Sequence, residues 1–199
     1  MAAPDPKHTL HEYLRRVRQA LLWKLDGLSE YDVRRPLTPT GTNLLGLVKH
    51  LTADEVGYFG DTFGRPFGEP VSWEGHEDEP NIEFWAAAEE SREQIIGQYE
   101  RACAHADTTI DELPADATGR VPWWPAERNE VTLHQILVHM VAEVSRHAGH
   151  ADIVRELIDG TAGLAPGQEN LPEVGQEYWA QYRASREQAA SQAAGRQHR

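Results

Sequence analysis

The stretch from Leu133 to Ile158, LHQILVHMVAEVSRHAGHADIVRELI, carries the clearest helical pattern of the chain. Its apolar residues mostly recur at steps of three and four, which is typical of an amphipathic α-helix. Thr132 and, three residues later, Gln135 predict a capping box at its start. At about 100° per residue, one stripe of this helix carries four ionisable side chains, His139, Glu143, His147 and His150. On the helical wheel His147 lies nearest the apolar centre, followed by Glu143.

Three further long helices are predicted upstream. The first covers about residues 8–28, the second begins at a cap on Thr42 or Asn43 and ends near residue 64, and the third covers about 82–106. Prolines flank the Trp123-Trp124 pair, so a strand is not expected between residues 113 and 130. The pattern therefore predicts an all-α four-helix bundle. The connections are long enough for helices adjacent in sequence to run parallel.

The bundle is expected to comprise residues 1–160, and residues 161–199 are expected to form a C-terminal extension. This extension begins with a Gly/Pro-rich segment. A short helix is predicted around Glu177–Ala190, followed by a frayed polar tail from Ser191 to Arg199.

Composition limits the classes of function that remain. The 199 residues include 19 Lys and Arg against 32 Asp and Glu, a net charge of −13, which argues against a duplex nucleic-acid or anionic-membrane partner. The single cysteine, Cys103, excludes an internal disulfide and is expected to be a small core residue. The sequence contains no run of about 18 apolar residues, so a membrane helix is not expected. Met1–His8 lacks the apolar core of a signal peptide, so a cytoplasmic location is expected.

The acid and imidazole stripe predicts a metal site. Glu143 and His147, one helical turn apart, can chelate one divalent ion. A third ligand is expected from a facing helix, and His50 is the candidate because it lies between Leu47 and Leu51 in the second helix. Asp54, one turn on, is expected to accept a hydrogen bond from the other ring nitrogen of His50.

Ordinary structural roles remain open for the same residues. His50 could be a hydrogen-bonded core residue, and Glu143 could pair with Arg146 or His147 on the helix surface. Tryptophans 73, 123 and 124 could close the ends of the bundle or line a pocket. Six histidines are expected on the surface or in loops, without a role: His8, His11, His76, His105, His134 and His198.

Two segments resemble the metal-binding regions of the DinB-like four-helix-bundle superfamily. They are NLLGLVKHL at Asn43–Leu51 and LVHMVAEVSRHAGHAD at Leu137–Asp152, and the Val121–Trp124 stretch is similar to one uncharacterised branch. The resemblance covers about residues 8–160. It implies a bundle of DinB-like topology with long crossover connections.

The resemblance also implies a ligand set and a chemistry. Many members use three His, with the last two four residues apart. Glu143 replaces the first of that pair, as in the His, Glu, His site of mycothiol-dependent maleylpyruvate isomerase, so the implied ligands are His50, Glu143 and His147. The implied metal is zinc or nickel, with iron also compatible with this donor set.

The superfamily includes transferases and isomerases that use low-molecular-weight thiols such as mycothiol. We therefore expect a metal-dependent thiol S-transferase that acts on an electrophilic small molecule. A hydrolase using the same open site, a non-catalytic metal-binding stress-response bundle, and a plain interaction bundle are the alternatives. A homodimer is plausible on family grounds. Metal affinity is expected to fall toward pH 5–6, near the free His pKa of about 6.5.

Overall fold

The computed structural model describes residues 5–76, 79–169 and 171–196, which are almost entirely helical apart from connections and one small hairpin. The α-helices of this part of the chain are α1 Pro6–Trp23, α2 Glu30–Arg34, α3 Leu44–Glu55, α4 Arg92–Glu112, α5 Leu133–Asp159 and α6 Gln176–Arg196. A π-helix at Val56–Gly60 and a 3₁₀ turn at Asp61–Phe63 continue α3, and a second 3₁₀ turn covers Ile82–Phe84. The predicted all-α bundle is confirmed, with α1, α3, α4 and α5 as its four long helices.

Side-chain contacts define how the four helices run. Lys7, at the start of α1, donates to the carbonyl of Leu113 at the end of α4 at 2.7 Å, so these two helices are antiparallel. Lys49 in α3 bonds Glu90 just before α4 at 3.0 Å. Near the other end of this pair, a β-carbon on Gly60 would lie 3.4 Å from the His105 ring. Thus α3 and α4 run parallel, an arrangement that the long connection between them permits.

The third long helix begins later than the sequence pattern predicted. Ser91, rather than residue 82, caps α4 and forms a reciprocal capping box with Gln94. The apolar residues Phe84 and Trp85, assigned by periodicity to this helix, instead pack along α3. The side chains of Asn43 and Lys49 bond the carbonyls of Phe84 and Trp85, at 3.2 and 3.1 Å. These backbone groups are therefore satisfied without a helix.

Two short strands appear where none was expected. β1, Thr118–Arg120, pairs antiparallel with β2, Glu130–Thr132. The proline-flanked Trp pair lies in the loop that joins them, so the prolines exclude ladder pairing only within that loop. Thr132 then caps α5 by accepting from the Gln135 backbone N–H, which is one half of the predicted capping box.

The core lies between the four long helices. Among its fully buried members are Leu14, Leu21, Leu44, Leu51, Ile110, Ile136 and Met140. A buried ion network crosses it: Arg18 of α1 donates to Glu55 at 2.7 and 2.5 Å and to Asp107 of α4 at 2.7 Å. Because isolated charges are costly to bury, this network fixes α1, α3 and α4 against one another.

The C-terminal segment differs from the bundle in burial. Lys24, buried at the end of α1, bonds Asp152 of α5 at 2.6 Å and the carbonyl of Gly163. The helix α6 is almost wholly exposed and extends to Arg196, so the tail predicted from Ser191 is helical over its first six residues. Residues 197–199 lie outside the described residues. The domain boundary at residue 160 stays a prediction.

Candidate metal centre

Helices α3 and α5 face each other antiparallel and bring the predicted ligands together. The ring of His50 meets that of His147 with centroids 4.8 Å apart. About two turns after His50, in the π-helix that continues α3, lies Tyr58. Its ring meets that of His139, which lies two turns before His147 in α5, with centroids 4.6 Å apart. Asp54 and Glu143 lie on the turns between these two pairs. The helical stripe inferred from sequence is therefore matched by a second stripe on α3.

The donor atoms of the three predicted ligands converge. Oε1 of Glu143 lies 2.9 Å from Nε2 of His147 and 4.0 Å from Nε2 of His50. One ligand atom from each of the three residues falls within 4.8 Å of the other two. His147 is 4 % exposed, whereas His50 and Glu143 retain 14 % and 19 % of their side-chain exposure. The group is thus partly shielded but reachable from solvent.

The guanidinium of Arg146 occupies part of this space. Its Nη2 donates to Oε1 of Glu143 and lies 3.1 Å from Nε2 of His147. The surface pairing of Glu143 with Arg146 and His147, left open by the sequence, is therefore present. A positively charged group accordingly sits against two of the predicted ligand atoms.

Burial and neighbouring charges set the protonation of the three residues. Burial lowers the pKa of His50 from 6.5 to about 4, with a smaller contribution from His147. Burial, then the charge of Arg146, lowers the pKa of His147. Burial acts to raise the pKa of Glu143, but the hydrogen bond and charge of Arg146 outweigh it and the net shift is downward. Near neutral pH both imidazoles are neutral and the carboxyl is ionised, the forms in which metals are bound.

Asp54 does not take the position that the sequence suggested. Its Oδ2 lies 3.3 Å from Nε2 of His50, the nitrogen that also faces Glu143, and not beside Nδ1. Nδ1 of His50 and Nδ1 of His147 are both buried without a hydrogen-bond partner among the described residues. Burial raises the pKa of Asp54 to about 8, and the charges of Glu143 and Glu55 act in the same direction.

Aromatic residues surround the group, and the sequence did not identify two of them. The ring of Phe84 stacks on that of His50, with centroids 3.9 Å apart and planes inclined by 20°. Tyr58 accepts a hydrogen bond from the indole of Trp124 at 3.3 Å. Sequence spacing could have identified Tyr58, since it follows His50 by eight residues on the same helical stripe. It could not have identified Phe84, because periodicity assigned that residue to another helix.

Of the remaining histidines, His11 departs from the prediction. It is buried and bonds Asp107 at 2.7 Å, as part of the ion network around Arg18. His8, His76 and His134 are exposed, as expected, and His198 lies outside the described residues. His105 departs in part, because it is half-buried and its Nδ1 is buried without a hydrogen-bond partner among the described residues. Cys103 packs against the core, where burial raises the pKa of its thiol far above the usual range, so it is a structural residue.

A comparison of the sequence with protein-family models gives one match. The model described as mycothiol-S-transferase matches residues 9–160, which is most of the chain. The chain belongs to the mycothiol-S-transferase family. This agrees with the DinB-like resemblance of the two ligand segments, both of which lie inside the matched range. A search among curated proteins found no match.

Membership of the mycothiol-S-transferase family connects the site to a low-molecular-weight thiol. Within the described residues, none of the helices has the length and apolarity needed to cross a bilayer. The residues of the site can be tested for their fit to a divalent ion.

The residues present fit such an ion. Two imidazole nitrogens and a carboxylate oxygen are a donor set that zinc, nickel and iron accept. The atoms converge on one point, both histidines favour their neutral forms, and a guanidinium nitrogen already sits against two of the atoms as a cationic stand-in. The assignment of His50, Glu143 and His147 as metal ligands stays a prediction that this geometry supports.

Proposed function

We propose that this protein is a metal-dependent S-transferase that transfers a low-molecular-weight thiol, mycothiol or a close relative, to an electrophilic small molecule. The observation that carries the proposal is the convergence of His50, Glu143 and His147 in a chain of the mycothiol-S-transferase family. These three residues would hold the ion. When bound, a divalent ion supplies positive charge that lowers the pKa of a coordinated thiol, as it does for water.

The chain's own residues prepare the site for this chemistry. His50 and His147 present neutral nitrogens because burial disfavours their charged forms. Arg146 holds the Glu143 carboxylate ionised. Phe84 covers one face of the His50 ring and shields it from water.

A cleft beside Phe84 provides room for substrate. It has a volume of about 540 Å³, within the range of small-molecule sites. Phe84 lines this cleft, and its ring also stacks on His50. The other lining residues combine hydroxyl, amide and indole groups with one aliphatic side chain: Thr40, Thr42, Asn43, Asn81, Leu47 and Trp85.

The proposed transfer balances without an external oxidant or reductant. The thiol loses its proton, and its sulfur forms a bond to the electrophilic carbon of the second substrate. A leaving group departs from that carbon with the bonding electron pair. The released proton neutralises the leaving group or passes to solvent.

Metal analysis combined with thiol titration tests the proposal. Protein purified without a His tag is expected to hold one zinc, nickel or iron ion per chain, to release heat with mycothiol in calorimetry, and to consume mycothiol when an electrophile is present. His50→Ala is expected to lose the metal. His134→Ala, which removes an exposed imidazole from the first turn of α5, is the matched control and should retain it.

The other readings of the site give different results in the same experiment. Metal binding without thiol heat or thiol consumption would leave a non-catalytic metal-binding bundle, and turnover that needs no thiol would indicate a hydrolase. Full metal stoichiometry in His50→Ala would refute the three-ligand assignment. The choice among metals, a homodimer and a cytoplasmic location stay predictions.

A further inference from the structure

Asp54 is a buried carboxylate that the three-ligand site leaves unexplained. Its Oδ2 has no hydrogen-bond partner among the described residues, and its side chain keeps only 16 % exposure. A buried carboxyl oxygen without a partner is costly. Nε2 of His50 lies 3.3 Å from it.

Two carboxylates converge on that one nitrogen. Oε1 of Glu143 lies 4.0 Å from Nε2 of His50, on the α5 side, and Oδ2 of Asp54 approaches from α3. Oδ2 of Asp54 forms no hydrogen bond among the described residues, and the 4.0 Å between Glu143 and His50 is too long for one. Hydrogen bonding with His50 therefore does not account for the position of either group.

A shared cation does account for it. Ligand atoms about 2.1 Å from one ion lie about 3.0 Å apart in an octahedral site and about 3.4 Å apart in a tetrahedral site. The 3.3 Å between Asp54 and His50 falls in this range. The 2.9 Å between Glu143 and His147 lies just below it. The 4.0 Å between Glu143 and His50 is close to the separation of about 4.2 Å between opposite ligands of an octahedral ion.

We propose that Asp54 is a fourth protein ligand of the centre, contributing Oδ2 beside His50, Glu143 and His147. This inference rests on the proposed function, because it presumes that the centre binds an ion. Two imidazoles and two carboxylates leave open positions for substrate only on an ion that accepts five or six ligands. Such a centre would be five- or six-coordinate, whereas zinc sites in proteins are mostly four-coordinate.

Cobalt titration of the metal-free protein tests this assignment without relying on activity. Co²⁺ reports its coordination number in the position and intensity of its visible absorption, and competition with a chromophoric chelator gives its dissociation constant. Asp54→Asn is expected to bind Co²⁺ at least about tenfold more weakly than the wild type, with a changed absorption band. Asp61→Asn removes an exposed carboxylate seven residues further along the chain and should match the wild type in both readouts.

Each outcome decides between the ligand role and its alternatives. If Asp54→Asn shows wild-type affinity and spectrum, Asp54 is not a ligand, and the proposed function stands. If affinity falls while the spectrum is unchanged, Asp54 acts only through hydrogen bonding, which also overturns the ligand role. If the wild type binds neither Co²⁺ nor Zn²⁺, the proposed function itself fails. Circular dichroism verifies folding, and Asp54→Ser replaces the Asn variant if that does not fold.

Discussion

At the scale of single residues, Arg146 contacts two of the atoms that the proposed metal would use. Its guanidinium bonds Glu143 and contacts Nε2 of His147, and it must leave both before an ion can bind there. It is 55 % exposed, so it can move into solvent. If the proposed ion binds, this contact must break, so the contact would favour the metal-free state.

Replacing Arg146 is accordingly expected to strengthen metal binding. Arg146→Gln removes an ion pair and a positive charge near the ion, which for a half-exposed pair amounts to about 1 kcal/mol, or roughly fivefold in affinity. Zinc titration against a competing chelator measures the change. Arg183→Gln, on the exposed helix α6, removes the same charge at a distance and should have no effect. Weaker zinc binding in Arg146→Gln would show instead that Arg146 orients Glu143.

The depressed pKa of His50 predicts a pH dependence of stability in the metal-free protein. Below pH 6.5 the unfolded chain takes up the proton, whereas the native ring resists it down to about pH 4. The free energy of unfolding therefore falls as pH falls through this window, and the loss levels off below it. The difference corresponds to at most about 3 kcal/mol.

Urea unfolding in the presence of a chelator, at pH 7 and pH 4.5, measures this contribution. His50→Gln cannot take up the proton, so its stability should fall less over the same interval. Titrating groups distant from His50 are shared by the two proteins and cancel in the comparison. Identical pH slopes would show that the native pKa of His50 is not depressed.

At the scale of elements, the sequence predicted what depends on local pattern. The four long helices, the Thr132 cap and the ligand stripe of α5 follow from apolar spacing and capping residues, which act within a few positions. The segment around Phe84 could not be predicted in this way. Its conformation depends on Asn43, Lys49 and the bare backbone of Gly46, about forty residues earlier in the chain.

The same limit explains the errors in the candidate site. Asp54 was expected beside Nδ1 of His50 because sequence spacing shows that two residues are one turn apart, but not which ring atom each faces. The Phe84–His50 stack joins a loop to a helix and leaves no periodic trace. His11 appeared to be a surface residue because its partner, Asp107, is 96 positions away.

At Gly46 the backbone of the Phe84 segment packs directly against α3. A β-carbon at Gly46 would lie 1.8 Å from the carbonyl oxygen of Phe84, so Gly46→Ala must displace that segment. We expect a loss of about 1–3 kcal/mol in the free energy of unfolding. We also expect the pKa of His50, followed by NMR, to rise toward its ordinary value as Phe84 withdraws.

Gly149→Ala provides the matched control for this prediction. Gly149 lies in α5, and a β-carbon there would meet nothing within 4 Å. The same substitution should therefore stabilise the protein by roughly 0.5–1 kcal/mol through helix propensity alone. Equal effects of the two substitutions would mean that the Phe84 segment does not need close contact with α3.

At the scale of the whole molecule, the bundle and its C-terminal extension meet at Lys24. Lys24 follows the last residue of α1. Its buried amine donates to Asp152 in α5 and to the carbonyl of Gly163 in the extension. Gly163 also donates its backbone N–H to Asp152 at 3.0 Å. The first residues after 160 are therefore joined to the bundle by hydrogen bonds, whereas the side chains of α6 are exposed.

Two truncations test where the folded unit ends. A chain ending at Pro172 loses α6 but keeps the Gly163 contacts, so its melting temperature should lie within about 2 °C of the full chain, as for a surface change of about 0.5 kcal/mol. A chain ending at Gly160 leaves the Lys24 amine without one acceptor and should lose a further 1–3 kcal/mol or so. Calorimetry measures both, and zinc stoichiometry should remain one per chain in each.

If the two truncations are equally stable, residues 161–172 do not support the bundle, and the predicted boundary at 160 holds. If the chain ending at Pro172 already unfolds, or loses a dimeric state, α6 has a partner surface, which a second copy of the chain would supply.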